Sequence, residues 1–223
     1  MAHAKLLLFD CDGTLVDSQH MITTAMAEAF AMHGLTPPPE AAVRRVVGLS
    51  LAAAVARLLP EADGDRDTIM RLVEAYKQSF QRLRMEGREE PLYDGMGEVL
   101  EALASAGYVL GVATGKSTRG LKSVLSVHRL DHYFVTLQTA DDHPGKPHPS
   151  MVEWAMIEAG AAPETTLVIG DTTYDMEMAL AAKARGLGVS WGYHGPDELL
   201  EAGALDVLDA VPDIVGAVRE AGL

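Results

Sequence analysis

Short apolar runs and helical periodicities alternate along most of this sequence. The first run, residues 6–9, is too short for a helix and predicts a buried strand. It ends at Asp10 and Asp12, and Gly13 marks the point where the backbone leaves the strand. Further strands are predicted at 109–113, 133–137, 167–169, 187–190 and, more weakly, 206–208.

No strand pattern interrupts residues 17–88. Helical spacing there predicts helices at 19–33, 40–47, 51–59 and 66–85, punctuated by Gly48 and Pro60. After residue 91 helices alternate with the strands, at 95–106, 118–127, 151–159, 175–184 and the C-terminus. Repeated βα units predict an α/β fold, a doubly wound parallel sheet with helices on both faces. We therefore expect a core of residues 1–16 and 89–223, with an inserted all-helical domain at 17–88.

Composition narrows the choice of partners. The 223 residues carry 18 basic and 32 acidic side chains, a formal net charge of −14, which argues against nucleic acid and against an anionic membrane surface. A small anionic substrate stays compatible, since a metal and one or two lysines set the local field. A single cysteine, Cys11, allows no intrachain disulfide, and no apolar run is long enough for a membrane span. We expect a soluble, cytoplasmic protein.

Asp10 and Asp12 are the first candidates for chemistry. Two carboxylates at the end of a buried strand repel each other and lose hydration, so a cation between them would offset the cost. Magnesium, a hard ion with oxygen ligands, suits such a pair. A turn in which the aspartates only cap the backbone is the alternative.

Three other predicted loops carry similar groups. Thr114-Gly115-Lys116 combines a hydroxyl with backbone amides at a helix start, where an anion can bind. Lys146 lies between turn residues, and Asp171 and Asp175 follow another strand. Singly, each could be a helix cap or a solvated side chain. Together they are expected at one rim, because ligands of open α/β sheets bind outside the carboxyl ends of the strands.

The ordered set Asp10-Cys11-Asp12-Gly13-Thr14, Thr114, Lys146 and Gly170-Asp171 with Asp175 resembles the haloacid dehalogenase superfamily. The resemblance covers almost the whole chain and implies a Rossmann-like core, with residues 17–88 as a C1 cap. Residues 15–18 and 189–194 look most like the phosphoglycolate phosphatase group.

The resemblance implies a role for each motif. Asp10 would attack phosphorus and form an aspartyl-phosphate, and Asp12 would act as general acid and then base. Thr114, Gly115 and Lys146 would bind the phosphate, Thr114 and Lys146 as catalytic groups. Mg²⁺ would be bound by Asp10, the backbone carbonyl of Asp12 and Asp171, and Asp175 would orient a water or Lys146.

The predicted cap offers weaker candidates. Arg45, like Arg44, could bind a substrate carboxylate or second phosphate, although a solvated arginine is the simpler reading. His20 lies near the expected hinge and is more simply a surface histidine, and strand alternation places Cys11 in the core. Asp12 argues against a dehalogenase, and Lys77 looks like a solvated helix residue rather than a phosphonatase lysine.

The sequence thus predicts a magnesium-dependent phosphatase that acts on a small phosphorylated metabolite, with phosphoglycolate as one possibility. A phosphosugar mutase of the β-phosphoglucomutase type shares the motifs and stays open. A non-catalytic binding protein on this fold is disfavoured by the intact motifs. We expect a monomer or a homodimer.

Overall fold

Six parallel strands form the centre of the protein. The computed structural model describes residues 3–59 and 65–222, so the predicted breaker Pro60 lies outside them. The strands are β1 (Ala4–Phe9), β2 (Val109–Thr114), β3 (Phe134–Thr139), β4 (Ala161–Gly170), β5 (Arg185–Val189) and β6 (Ala204–Leu208). They are arranged in the order β3-β2-β1-β4-β5-β6, and every neighbouring pair is parallel. The predicted parallel sheet is confirmed, including its weak last strand.

Residues between β1 and β2 form helices: α1 (Gln19–Met32), α2 (Glu40–Arg44), α3 (Leu51–Leu58), α4 (Arg66–Met85) and α5 (Met96–Ser105). We call α1–α4 the helical insert. Within its described residues there is no strand, as predicted. Its helices share a buried cluster that includes Ile22, Phe30, Val43 and Leu72. Apolar residues at helical spacing thus bury a shared cluster, which Tyr193 from the segment after β5 also joins.

Helix α2 is shorter than the predicted 40–47. The backbone N–H groups of Val46 and Val47 bind carbonyls three residues back, so the chain tightens after Arg44. Gly48 then adopts a φ of +96°, which a continuing right-handed helix does not allow. The resulting loop points the segment 48–50 toward the sheet.

The remaining helices are α6 (Thr118–Val127), α7 (Ser150–Ala159), α8 (Thr173–Ala181), α9 (Pro196–Glu201) and α10 (Ile214–Glu220). Helix α9 was not predicted; Gly195 followed by Pro196 was its signal, since proline suits a first helical turn. Alternate residues of β1 bury opposite faces of the sheet, Leu7 and Phe9 on one and Leu6 and Leu8 on the other. Both faces are therefore covered, as a doubly wound sheet requires.

The strand order positions the functional loops. β1 lies between β2 and β4, and Phe9 pairs with Val112 on one side and Ile169 on the other. The segments after Phe9, Thr114 and Gly170 consequently leave the sheet side by side. No helix in the described part of the chain has the length and apolar character needed to cross a lipid bilayer.

Candidate active site

Asp10, directly after β1, is buried and only half satisfied. Its Oδ1 accepts the N–H of Cys11 at 2.7 Å and lies 2.9 Å from Nζ of Lys146. Its Oδ2 is buried without a hydrogen-bond partner among the described residues. Burial raises the pKa of Asp10 to about 6; the Asp175 charge adds to this rise and Lys146 opposes it. A buried, unpartnered carboxylate oxygen marks a place where a ligand is expected.

Lys146 joins two of the predicted acids. Its Nζ lies 2.9 Å from Asp10 and donates a 2.6 Å hydrogen bond to Oδ1 of Asp175. Burial alone would lower the pKa of Lys146, but the two carboxylates outweigh it and raise the pKa above its usual value. The side chain is therefore a fixed ammonium beside Asp10.

Asp171, at the end of β4, is held on both sides. Its Oδ1 accepts a 2.7 Å hydrogen bond from the Thr14 hydroxyl, and its Oδ2 accepts the N–H of Tyr193 at 2.9 Å. Burial, and then the charges of Asp10 and Asp175, raises the pKa of Asp171 well above its usual range. Tyr193 contributes through its backbone, a contact that no side-chain pattern could reveal.

Gly13 leaves room for the carboxylate of Asp171 to lie close to the backbone of the loop after β1. Its φ is +89°, and a Cβ at this position would lie 2.3 Å from Oδ2 of Asp171. The residue must therefore be glycine both for its backbone conformation and for the space.

Asp175 has both carboxylate oxygens occupied. Oδ1 accepts from Lys146, while Oδ2 accepts the hydroxyl of Thr172 at 2.6 Å and its N–H at 3.1 Å. These bonds tie the start of α8 to the ammonium group of Lys146.

The three acids converge. Carboxylate oxygens of Asp10, Asp171 and Asp175 lie within 4.8 Å of one another, and all three residues are buried. Three carboxylates and the one ammonium of Lys146 carry a formal charge of −2. The all-oxygen donor set, the negative charge and the unpartnered Oδ2 of Asp10 fit a hard divalent cation. This cluster could therefore hold a divalent metal.

Thr114 and Gly115 lie where β2, the strand next to β1, ends. Thr114 is buried, and its Oγ1 accepts the N–H of Lys116 at 3.2 Å. A Cβ on Gly115 would lie 2.5 Å from the carbonyl oxygen of Leu49, so this glycine lets the loop of the helical insert approach.

Asp12 has a partner that the sequence did not indicate. Its Oδ1 accepts a 2.7 Å hydrogen bond from Nζ of Lys116, which also donates to Oε1 of Glu90 at 2.8 Å. Lys116 belongs to a loop identified from the sequence but had no predicted role, and Glu90 was not singled out. The side chain of Asp12 thus turns to Lys116, and the predicted use of its backbone carbonyl for metal is left untested.

The structure does not bring Arg45 to these groups. Its guanidinium pairs with Glu198 at 2.7 Å, and the two side chains are 54% and 42% exposed. Arg44 bonds to Gln19 and to the carbonyl of Gly192. An arginine on this loop carries no sequence signal for which way it points, so the substrate role of Arg45 stays a prediction without a supporting contact.

Two smaller expectations concern His20 and Cys11. His20 bonds to Arg88 on the protein surface, in keeping with the simpler reading. Cys11 is buried in the sheet core and unpaired, so its predicted position is confirmed.

A cavity of about 850 Å³ lies between the sheet rim and the helical insert. Asp10, Asp12 and Thr114 line it on the sheet side. The insert contributes a largely apolar wall, which includes Ile22, Met26, Val43, Val73, Tyr76 and Phe80. Asp10 of the acidic cluster therefore borders a space large enough for a small ligand.

The site is a buried cluster of carboxylates beside a fixed ammonium, at the carboxyl edge of a doubly wound parallel sheet. These features are typical of an α/β enzyme that uses aspartates for catalysis. The family model for haloacid dehalogenase-like hydrolases matches residues 7–189, and the chain belongs to this family. The resemblance recognised in the sequence motifs is thereby confirmed.

Relatives that span most of the chain carry phosphatase names. The Probable phosphatase IndB of Dickeya dadantii is 35% identical over 216 residues, covering 96% of this chain and 93% of that protein. A phosphoglycolate phosphatase of Haemophilus influenzae is 32% identical over 196 residues, covering 85% of this chain and 87% of that protein. These similarities support a phosphoric monoester hydrolase and confirm the predicted enzyme class.

Solved structures agree on the fold. A hydrolase from Pseudomonas syringae has a TM-score of 0.86 at 30% identity, covering 97% of this chain and 98% of that chain. A protein of Bacteroides vulgatus named as a candidate beta-phosphoglucomutase has a TM-score of 0.82 at 23% identity, covering 98% of this chain and 90% of that chain. The second likeness concerns the fold alone. The mutase alternative is accordingly not favoured.

Proposed function

We propose that this protein is a magnesium-dependent phosphatase that hydrolyses a small phosphate monoester, phosphoglycolate-like in size, through an aspartyl-phosphate. The observation that carries the proposal is Asp10: a buried carboxylate with one oxygen held by Lys146 and the other without a partner, facing further acids. The phosphatase names of relatives that span most of the chain support the reaction type.

In the proposed reaction Asp10 attacks phosphorus while its Oδ1 stays anchored by Lys146 and by the N–H of Cys11. An anchored nucleophile loses little freedom on reaching the transition state. Lys146 and the hydroxyl of Thr114 bind phosphate oxygens, and the N–H of Gly115 adds a donor. Lys146 also offsets the charge of Asp10, which an anionic phosphate must approach.

Asp12 transfers protons in both halves of the reaction. It lines the cavity, and its protonated carboxyl donates to the leaving alkoxide as the aspartyl-phosphate forms. The resulting carboxylate then accepts a proton from the water that hydrolyses the intermediate. One residue thus serves as acid and then as base.

Magnesium fits the donors already described. Asp10, Asp171 and the backbone carbonyl of Asp12 would hold it, and a divalent cation there supplies charge that screens the approach of nucleophile to phosphate. Asp175 keeps Lys146 in place through the 2.6 Å contact and so orients the group that neighbours Asp10.

We also propose that residues 17–88 form a cap domain over a core of residues 1–16 and 89–223. The helices of the insert share a buried cluster that Tyr193 of the core also joins, and the loop at Gly48 to Ser50 contacts the sheet rim at Gly115 and Gly145. Such a cap would keep bulk water away from the phosphorylated aspartate until the leaving group departs.

The decisive experiment is phosphate release from a panel of phosphate monoesters, among them phosphoglycolate and sugar phosphates, with magnesium and with a chelator. We expect release that requires magnesium, with the substrate ranking reporting what the cavity accepts. Asp10→Asn, which keeps the shape of the side chain, is the matched control and should release none. Release that persists in the chelator would contradict the metal assignment. An absence of release from every ester by folded protein would contradict the phosphatase.

A further inference from the structure

Four charged side chains form a chain from the helical insert to Asp12. Arg84, on the last turn of α4, donates from Nε to Oε2 of Glu90 at 2.8 Å. Oε1 of Glu90 accepts from Nζ of Lys116 at 2.8 Å, and the same Nζ donates to Oδ1 of Asp12 at 2.7 Å. The chain thus connects the helical insert to Asp12, and Arg84, Lys116 and Asp12 all line the cavity.

Its inner members are withdrawn from water. The side chains of Lys116, Glu90 and Asp12 are 9%, 5% and 12% exposed. Two acids and two bases make the chain formally neutral. Burial alone would lower the pKa of Lys116, but Asp12 and Glu90 raise it above its usual value, so the central ammonium is permanent. Buried charges with matched partners resist rearrangement, because breaking one contact leaves an uncompensated charge.

The two carboxylate oxygens of Asp12 differ in their hydrogen bonds. Oδ1 is held by Lys116, whereas Oδ2 has no hydrogen bond to any residue that the structure describes. Asp12 lines the cavity. The free oxygen is thus the one available for proton transfer, and the held oxygen determines the angle at which it is presented.

Lys116 is also tied to the neighbouring groups. Its backbone N–H bonds to Oγ1 of Thr114 at 3.2 Å. The ring of Phe80, from the helical insert, lies 5.3 Å from Nζ of Lys116 and 5.0 Å from the guanidinium carbon of Arg84. One lysine therefore links the acid, the threonine of the opposite loop and the insert.

We propose that Lys116 and Glu90 are positioning residues for proton transfer by Asp12, and that Arg84 makes this alignment depend on the helical insert. The inference rests on the proposed phosphatase function. In the proposed reaction Lys116 and Glu90 do not contact the phosphorus atom. They hold Oδ1 of Asp12 so that Oδ2 meets the oxygen of the leaving alcohol.

A positioning role of this kind has a specific signature. An alkoxide needs a proton as it leaves, whereas p-nitrophenolate leaves readily without one. Misalignment of Asp12 should therefore slow hydrolysis of alkyl phosphates much more than hydrolysis of p-nitrophenyl phosphate. A general loss of structure would slow both alike.

The test compares kcat/KM for p-nitrophenyl phosphate with kcat/KM for the best alkyl phosphate of the panel, in Glu90→Gln and Lys116→Met. We expect the alkyl value to fall roughly 10- to 100-fold, a part of the roughly 10²- to 10⁴-fold that general acid catalysis contributes, because Asp12 itself is retained, and the aryl value to fall no more than about threefold. Arg84→Met should show the same pattern more weakly. Glu89→Gln and Lys122→Met, at exposed neighbouring positions, are the matched controls and should leave the ratio unchanged.

Glu90→Gln is isosteric and carries the test if Lys116→Met does not fold, with thermal unfolding as the check. Equal losses on both substrates in folded Glu90→Gln, or no loss on either, would overturn the inference while leaving the phosphatase intact. Wild-type protein that hydrolyses neither ester would overturn the proposed function and the inference with it. Partial recovery of the alkyl rate in Lys116→Arg, which keeps the charge, would support the positioning role.

Discussion

The two charged clusters at the rim of the sheet differ in net formal charge. The cluster of Asp10, Asp171, Asp175 and Lys146 carries a formal charge of −2 and includes a buried oxygen without a partner. The chain of Asp12, Lys116, Glu90 and Arg84 is formally neutral and holds its central ammonium between two carboxylates. An excess of buried negative charge favours the binding of a cation, whereas a set of side chains with equal numbers of opposite charges favours one fixed orientation of those side chains. The clusters lie side by side because Asp10 and Asp12 are two residues apart.

We expect the largest effect on phosphate release from Asp10→Asn, in the negatively charged cluster. Loss of the proposed nucleophile should reduce phosphate release at least about 1,000-fold, because an amide cannot form the proposed aspartyl-phosphate. The fold should persist, since the substitution removes a buried charge without changing volume. Phosphate release and thermal unfolding check the two parts. A variant with wild-type turnover would show that Asp10 is not the nucleophile.

Asp171→Ala tests the charge excess directly. Removal of one of three carboxylates should raise the magnesium concentration for half-maximal activity roughly 10- to 100-fold or more. A magnesium titration of phosphate release measures this. Asp197→Ala, at an exposed position on α9, is the control and should leave the titration unchanged. An unchanged titration in Asp171→Ala itself would remove Asp171 from the metal site.

Gly13→Ala separates space from backbone strain. Gly13 and Gly107 both have a φ of +89°, but a Cβ at Gly107 would meet nothing within 4 Å. Gly107→Ala should therefore lose on the order of 1 kcal/mol of unfolding free energy, from strain alone. Gly13→Ala should lose a further ~1–3 kcal/mol, since its Cβ collides with Asp171. Denaturant unfolding of both variants gives the difference, and equal losses would mean that Asp171 moves aside freely.

Removal of metal should make stability depend on pH. The pKa of Asp10 is raised from 3.8 to about 6 in the folded chain, so its contribution is fully present below about pH 4 and is lost as pH rises through about 6. The loss is on the order of 2–3 kcal/mol, and the raised pKa of Asp171 acts in the same direction. Magnesium binds the ionised carboxylates and should oppose the loss. Unfolding of chelated and magnesium-loaded protein between pH 4 and pH 7.5 checks this; parallel pH curves would count against a metal at these acids.

Arg45→Gln should have the smallest effect. An exposed ion pair such as Arg45 with Glu198 contributes about 0–1 kcal/mol, so thermal unfolding should barely change. Because Arg45 is turned away from the cavity, KM for phosphoglycolate should stay within about twofold, in line with a lost rim contact at most. A tenfold or greater rise in KM would instead support the sequence-based assignment of Arg45 to substrate binding.

The elements that sequence predicted well share a local cause. The leucines of β1 and the apolar runs of β2 and β4 predict strands wherever they occur, and the parallel arrangement places their following loops at one edge. Asp10, Thr114 and Asp171 therefore meet for reasons that can be read along the chain. The end of α2 was misplaced because a tightened turn at residues 45–47 depends on where Gly48 must lie.

The pairing between charged side chains could not be predicted from local sequence. Lys116 and Asp12 are 104 residues apart, and Arg45 and Glu198 are 153 apart. Several lysines and arginines could have met these acids, and nothing along the chain ranks them. The sheet, the helical insert and the motifs of the rim can be read along the chain, because apolar spacing and turn residues act over a few positions. Which base pairs with which acid is visible only in the folded protein, because the direction of a long charged side chain depends on packing between distant segments.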